Sequence, residues 1–153
     1  MRPVVLMGLL VAACGSDEAG LRPGHALIGP EGGRLDGPDG TYLVVPGGSV
    51  ERTTEFFIEP ATEQPSRFSA VGPTFLFGPS GVTFSPMLTI GVPFDSMRIP
   101  SGKGVDDVKV FLWVDGVYIE LPTNRPKSGD RVVAAAADRL SYAVAGVSQD
   151  KAK

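Results

Sequence analysis

The 153-residue chain has the length of one ordinary domain, and 42% of its residues are hydrophobic, so it can bury one proper core. Its 20 glycines and 14 prolines follow no repeat, which argues against collagen, plain disorder and long helices. The formal net charge is −3 and no basic patch is present, so nucleic-acid binding is not expected.

The N-terminus carries a short apolar run over residues 4–10, followed by Val11-Ala12-Ala13-Cys14, which holds the single cysteine. A small-residue site after an apolar segment is typical of a processing signal. The stretch resembles the lipobox of bacterial lipoproteins. That resemblance implies cleavage between Ala13 and Cys14 and a lipid on Cys14. The alternative is a cytosolic protein whose apolar N-terminus is a buried strand.

The segment after the cysteine predicts how the domain is tethered. Residues 15–24 are polar, contain glycine and lack periodicity, as expected for a flexible tether. Gly15 is not the Asp that marks inner-membrane retention in some bacteria, which slightly favours the outer membrane. We therefore expect a signal peptide over residues 1–13, a lipidated tether over 14–24, a folded domain over 25–147 and a polar tail over 148–153 in the bacterial cell envelope.

Short strand-like segments separated by turn residues follow the tether. Two of these segments alternate clearly. In the first, Phe56 and Ile58 lie on one face, and in the second, Leu88, Ile90 and Val92 lie on one face. The stretch 60–69 looks like a polar loop. Up to residue 92, strands are predicted over residues 25–28, between the turns at 32–33 and 36–40, and over 41–45, 53–59, 74–77, 82–84 and 87–92.

Asp115-Gly116 is a strong two-residue hairpin signal. Folding about it gives three pairs that we expect on the core face, which are Val114 with Val117, Leu112 with Ile119, and Val110 with Leu121. The opposite face carries Phe111, Trp113 and Tyr118, a candidate binding patch, since aromatics are favoured at protein interfaces and on sugar-binding platforms. The alternative is that a loop or the N-terminal strand covers these rings, or that they belong to the core.

The C-terminal part predicts two further strands. Residues 131–137 include four alanines, which favour helix, but their short length between turn signals favours a strand. Residues 140–145 alternate and are expected to close the fold. In total, nine to eleven short strands and no sure helix predict an all-β protein, an antiparallel β-sandwich.

Four motifs in order resemble the ZU5 domain, which is itself an antiparallel β-sandwich. They begin at Gly32-Gly33-Arg34-Leu35 and continue through residues 43–50, and the most specific is the Gly-Pro-x-Gly turn and strand over 78–93. Residues 138–144 look like the end of bacterial relatives. The resemblance covers about residues 27–146 and implies interaction and structural roles.

Some ZU5 members cleave themselves at His-Phe-Ser, where the serine hydroxyl attacks the preceding carbonyl and the histidine helps to move the proton. The corresponding residues here are Arg139-Leu140-Ser141. Arginine cannot serve as that base, so self-cleavage at Leu140–Ser141 is the least favoured function.

The remaining candidates for chemistry are few. A hydrolase needs a nucleophile beside a base, whereas His25 is the single histidine and Cys14 belongs to the leader. No catalytic partner for His25 is evident in the sequence, so we expect it to be a surface residue and not a catalytic one. Asp106 and Asp107 would face opposite ways on a strand. Asp36 and Asp39 fit Asp-Gly turn chemistry better than a calcium loop.

These observations predict a lipid-anchored, extracytoplasmic, non-catalytic binding or structural module. Its contacts would be the membrane, through the lipid on Cys14, and an unidentified protein or glycan partner, with no cofactor, metal or nucleic acid. The alternative is an envelope-scaffold or assembly subunit that pairs through sheet edges.

Overall fold

The computed structural model describes residues 22–149. The predicted signal peptide, the cleavage site at Ala13 and Cys14, and the tether up to residue 21 lie outside the described residues, as does the tail from residue 150. Within the described part, no helix is both long enough and apolar enough to cross a bilayer.

The described residues form eleven strands, which confirms the predicted all-β class. The strands are β1 (His25–Ile28), β2 (Gly33–Asp36), β3 (Tyr42–Val45), β4 (Thr54–Ala61), β5 (Phe68–Ala70), β6 (Thr74–Gly78), β7 (Leu88–Pro93), β8 (Val108–Val114), β9 (Val117–Glu120), β10 (Val132–Ala137) and β11 (Tyr142–Ser148). Three single-turn 3₁₀ helices over Pro38–Gly40, Ser96–Arg98 and Val105–Asp107 are the helical segments of this part of the chain.

The strands build two antiparallel sheets, as a β-sandwich requires. The larger sheet has seven strands in the order β1-β4-β6-β11-β8-β9, and β5 pairs with the end of β11. The smaller sheet has four strands in the order β10-β7-β3-β2. Strand β10 packs opposite β8, and β7 packs opposite β11. In the strand order of the larger sheet, the two end strands are β1 and β9.

The core lies between the sheets and is filled by alternate side chains. On β7, Leu88, Ile90 and Val92 are fully buried, and on β4 Phe56 and Ile58 are buried, as the alternation predicted. Full burial of a side chain of this size contributes about 1.5–3 kcal/mol. The inward-facing rows thus supply the main stabilisation of the sandwich.

The alanine-rich stretch is a strand, as predicted. Strand β10 pairs with β7 along its whole length, and its alternation buries Val133, Ala135 and Ala137. Sheet pairing overrides the helical preference of alanine, because propensity amounts to less than about 1 kcal/mol per residue.

Two predicted details are wrong. Residues 82–84 form no strand; instead the Phe84 N–H donates to the Asp138 carbonyl at 2.6 Å, and the Phe84 ring packs against Phe56 with centroids 5.7 Å apart. Asp106 and Asp107 lie in a 3₁₀ turn, where the Asp107 carboxylate accepts a hydrogen bond from the Gly104 N–H. Local backbone capping explains Asp107.

The expected core face of the hairpin is only half correct. Leu112 and Leu121 are buried, but the side chains of Val117 and Ile119 remain 59% and 40% exposed. The smaller sheet reaches as far as β8, which β10 covers, whereas β9 is the next strand outward. The unequal widths of the two sheets leave the inner face of β9 accessible.

Candidate binding groove

The β8–β9 hairpin has the predicted register. Phe111 pairs with Glu120, and Trp113 pairs with Tyr118. Asp115 and Gly116 both have positive φ, at 50° and 85°, as the favoured two-residue hairpin turn requires. The structure therefore brings the three candidate patch residues together on the outer face of the larger sheet.

The three rings differ in accessibility. Phe111 is only 6% exposed, because the Phe68 ring lies parallel on it, with centroids 3.9 Å apart. Trp113 and Tyr118 are half-buried and meet edge to face, with centroids 5.0 Å apart. Phe111 is thus the floor of the patch, whereas Trp113 and Tyr118 supply its accessible aromatic surface.

Phe68 is a member of this cluster that the sequence analysis missed, because it lies in the stretch predicted to be a polar loop. Strand β5 brings it to β11, where Phe68 pairs with Ser148 and Ala70 pairs with Gly146. A Cβ on Gly146 would lie 2.3 Å from Phe68 Cδ2. A glycine inside a strand often marks such a close approach, and this was the available signal.

An open groove of about 710 Å³ lies over these rings. Its floor and walls are aromatic and its rim is polar, because the loop before β5 and the end of β11 supply hydroxyl, amide and guanidinium groups. The lining includes Phe68, Phe111, Trp113 and Tyr118, with Ser66, Arg67, Ser148 and Gln149 at the rim.

A second depression, of about 260 Å³, lies on the other side of Trp113. The hairpin turn and the segments before β7 and β11 form it, and most of its side chains are polar. Its lining includes Ser80, Thr83, Asp115, Arg139 and Ser141 together with Trp113. Trp113 is therefore a wall shared by two adjacent depressions.

The Tyr118 hydroxyl is buried beneath the groove, near Thr74 and the backbone of Gln64. Within residues 22–149, neither it nor Thr74 Oγ1 makes a hydrogen bond of good geometry. Burial raises the pKa of the Tyr118 phenol above its ordinary value, and the nearby polar groups of Gln64 and Thr74 only partly oppose this. Tyr118 thus contributes a neutral ring to the groove.

Ser141, the residue that corresponds to a self-cleaving serine, lies at the second depression. Its neighbour Arg139 binds Asp138, with Nε to Oδ1 at 3.1 Å, and this hydrogen bond lowers the pKa of Asp138. His25, the single histidine of the chain, lies on β1, at the opposite edge of the sheet from β9. The hydroxyl of Ser141 therefore has no histidine beside it.

His25 has two side-chain partners that the sequence did not indicate. Its Nδ1 lies 2.8 Å from Glu55 Oε1 and its Nε2 lies 3.0 Å from Glu59 Oε1. The ring stacks on Phe57, with centroids 5.3 Å apart, and the side chain is only 12% exposed. The pairing of His25 with Phe57 places Glu55 and Glu59 on either side of the ring, on the same face of the sheet.

The other acidic candidates have structural roles, Asp36 as a hydrogen-bond acceptor and Asp39 as a turn residue. Asp36 accepts a hydrogen bond from Arg34 Nε at 3.0 Å, and Asp39 adopts a left-handed turn conformation with φ of 58°. Within residues 22–149, no three or more His, Cys, Asp or Glu side chains converge as metal ligands.

Comparison with known proteins gives no match, either to a family model or to a curated protein. The motifs of the N-terminus and the residues of the groove are therefore the basis for inferring function. Of the predicted site residues, Phe111, Trp113 and Tyr118 share one surface, and Ala13 and Cys14 lie outside the described residues.

Proposed function

We propose that this protein is a lipid-anchored, extracytoplasmic lipoprotein whose β-sandwich is a non-catalytic binding module. The observation that carries the binding role is the position of Trp113 between two open depressions. Partly apolar concavities with a few polar groups are typical of ligand sites.

The anchoring part of the proposal depends on the sequence Val11-Ala12-Ala13-Cys14. A lipid on Cys14 would hold the domain at the envelope membrane, and a second acyl chain would make that anchoring stable. Gly24 already belongs to the fold, since its carbonyl accepts a hydrogen bond from the Ile58 N–H at 2.8 Å, so a tether over residues 15–21, fully extended, spans at most about 25 Å. A groove at this distance would meet partners that lie close to the membrane surface.

The binding part depends on how firmly the aromatic groups are held. Phe111 is fixed beneath Phe68, and the hairpin register fixes Trp113 beside Tyr118. A surface held in place before binding loses little conformational entropy when a ligand binds. The surroundings of His25 and Ser141 favour binding over catalysis, since among the described residues each lacks the neighbour that a nucleophile–base pair requires.

We also propose that the domain is ZU5-like. The β-sandwich is the architecture that the resemblance implies, and interaction roles are what it implies for function. The motif over residues 78–93 supports this, since it runs from the end of β6 through the turn into β7. The self-cleaving reaction is not part of the proposal, because Arg139 stands where that reaction needs a histidine.

Two measurements test the two parts separately. Metabolic labelling with a fatty acid should label the native chain and not Cys14→Ala; equal labelling of both would refute the anchor. Purified envelopes should retain the unacylated Cys14→Ala chain, and adding Trp113→Ala should weaken retention at least about tenfold, as for an aromatic hot spot. Retention that does not depend on Trp113 would refute the groove.

Assembly through a sheet edge is the second candidate function. The exposed side chains of Val117 and Ile119 on edge strand β9 favour it, because unpaired edges can join another chain. Gel filtration with light scattering should then give an oligomer that Val117→Lys converts to monomer. Met97→Lys, at a position that is 92% exposed, is the matched control. A monomeric wild-type chain at high concentration would exclude assembly.

A further inference from the structure

Both depressions beside Trp113 are open to solvent, and the Trp113 side chain is the wall that they share. A site that buries a small molecule is usually one enclosed cavity that covers most of the ligand. Two open depressions that meet at one indole instead suit a chain molecule that crosses the ring and continues on both sides. The arrangement offers at least three successive positions, which are the first depression, the indole and the second depression.

The polar groups around Trp113 are suited to hydroxyl-rich ligands. Arg67 makes no ion pair within residues 22–149, so its guanidinium can donate to a ligand, and Gln149 can both donate and accept. On the other side, Asp115 can accept and Ser141 can do both. These groups surround the indole at the two depressions, so a ligand stacked on the ring would meet polar partners at its periphery.

We propose that the groove binds a linear polysaccharide, with one pyranose ring stacked on Trp113 and its neighbours in the two depressions. This inference depends on the proposed binding function of the same groove. A pyranose has an apolar C–H face and a periphery of hydroxyls, which matches a partly exposed indole with polar groups around it.

A protein partner fits the same surface less well. Stable protein interfaces bury about 1,200–2,000 Å² around a mainly apolar core. Here Phe68 and Phe111 are only 8% and 6% exposed, so the apolar surface that a partner could reach in the groove is limited to Trp113, part of Tyr118 and Val117. Val117, beside the hairpin turn, is 59% exposed and also lines the groove, whereas the exposed Ile119 is not part of that lining.

The test uses the full chain carrying Cys14→Ala and three insoluble polysaccharides, which are cellulose, chitin and peptidoglycan sacculi freed of protein and lipid. Co-sedimentation measures the apparent Kd. Trp113 is the single tryptophan of the chain, so its fluorescence reports directly on occupancy when a soluble oligosaccharide of the retained polymer is added. Thermal unfolding of each variant confirms that it is folded.

We expect at least one polysaccharide to retain the chain and its oligosaccharide to change the Trp113 emission. Trp113→Ala should weaken retention about thirty-fold, the effect of a binding hot spot, and Trp113→Phe, which keeps a smaller ring, should weaken it less. Leu27→Ala is the matched control, because Leu27 is 60% exposed on β1, the opposite edge of the same sheet. Its retention should equal that of the parent chain.

Three results would overturn the inference. Retention that Trp113→Ala leaves unchanged would show that the polysaccharide binds elsewhere. No retention on any polysaccharide, combined with Trp113-dependent retention on envelopes that protease treatment abolishes, would identify a protein ligand; the proposed binding function would then stand and the polysaccharide would fail. No Trp113-dependent retention on polysaccharides or on untreated envelopes would refute both the polysaccharide and the groove.

Discussion

The ring of Phe68 lies flat on the ring of Phe111, with centroids 3.9 Å apart and an angle of 6° between the planes. Phe68 is on the short strand β5 and Phe111 is on β8, and both pair with β11. The stack therefore joins the loop before β5 to the hairpin that carries Trp113. Together with the buried Val144 it forms a small apolar cluster outside the main core.

We predict that Phe68→Ala destabilises the protein by about 3 kcal/mol, the usual cost of removing a buried phenylalanine. Urea unfolding measures the change in the free energy of unfolding. In a double-mutant cycle with Phe111→Ala, the coupling energy should be about 0.5–1.5 kcal/mol, as for aromatic pairs. A loss below about 1 kcal/mol, or no coupling, would mean that Phe68 does not pack on Phe111 in solution.

A substitution at Gly146, which lies against the Phe68 ring, tests the same contact. We predict that Gly146→Ala costs about 2 kcal/mol by overpacking, because its Cβ would lie 2.3 Å from Phe68 Cδ2. Most of this cost should disappear when Phe68 is already alanine. Gly33→Ala on β2 is the control, since its Cβ would meet Ile28 at an ordinary 3.5 Å. Equal costs with and without Phe68 would contradict the stacking geometry.

The parts of the site that could be predicted are set by local sequence. Asp115-Gly116 defines the turn, and alternation then defines which residues pair across it, so the sequence alone indicates that Trp113 lies beside Tyr118 on the outer face. The same logic predicted the buried face of β7, because period-two alternation is a property of the strand itself.

The parts that could not be predicted depend on contacts between distant segments. Phe68 covers Phe111 only because β5 pairs with β11, a pairing that no local pattern in a polar stretch indicates. The exposure of Val117 depends on the smaller sheet having four strands while the larger has seven. The partners of His25 depend on the register between β1 and β4.

His25 fastens the first strand to the sheet. We predict that His25→Ala costs about 1 kcal/mol, because its hydrogen bonds to Glu55 and Glu59 are partly exposed and therefore weakened by solvent. Hydrogen exchange at the amides of β1 should accelerate. Leu27→Ala on the same strand, at an exposed position, should leave exchange near the wild-type rate. Unchanged exchange in His25→Ala would show that β1 is held by its backbone pairing alone.

Ionisation of the Tyr118 phenol should make the free energy of unfolding depend on pH in the alkaline range. Because burial raises the pKa of the phenol above 10.0 in the folded state, the folded chain holds this proton more tightly than the unfolded chain. The free energy of unfolding therefore does not depend on this ionisation below about pH 10, and it falls as the pH rises from there through the folded pKa, because the buried phenol resists ionisation. Tyr118→Phe should therefore weaken the alkaline fall in stability.

At neutral pH, Tyr118→Phe should leave stability unchanged or slightly raised, since the hydroxyl it removes is buried without a well-formed hydrogen bond. Urea unfolding at pH 7 and pH 11 measures both effects. Tyr42→Phe, on the smaller sheet, is the control and should keep the wild-type difference between the two pH values. A loss of about 1 kcal/mol or more at pH 7 would mean that the Tyr118 hydroxyl makes a stabilising hydrogen bond in solution, and its ring would then be held by that bond as well as by packing.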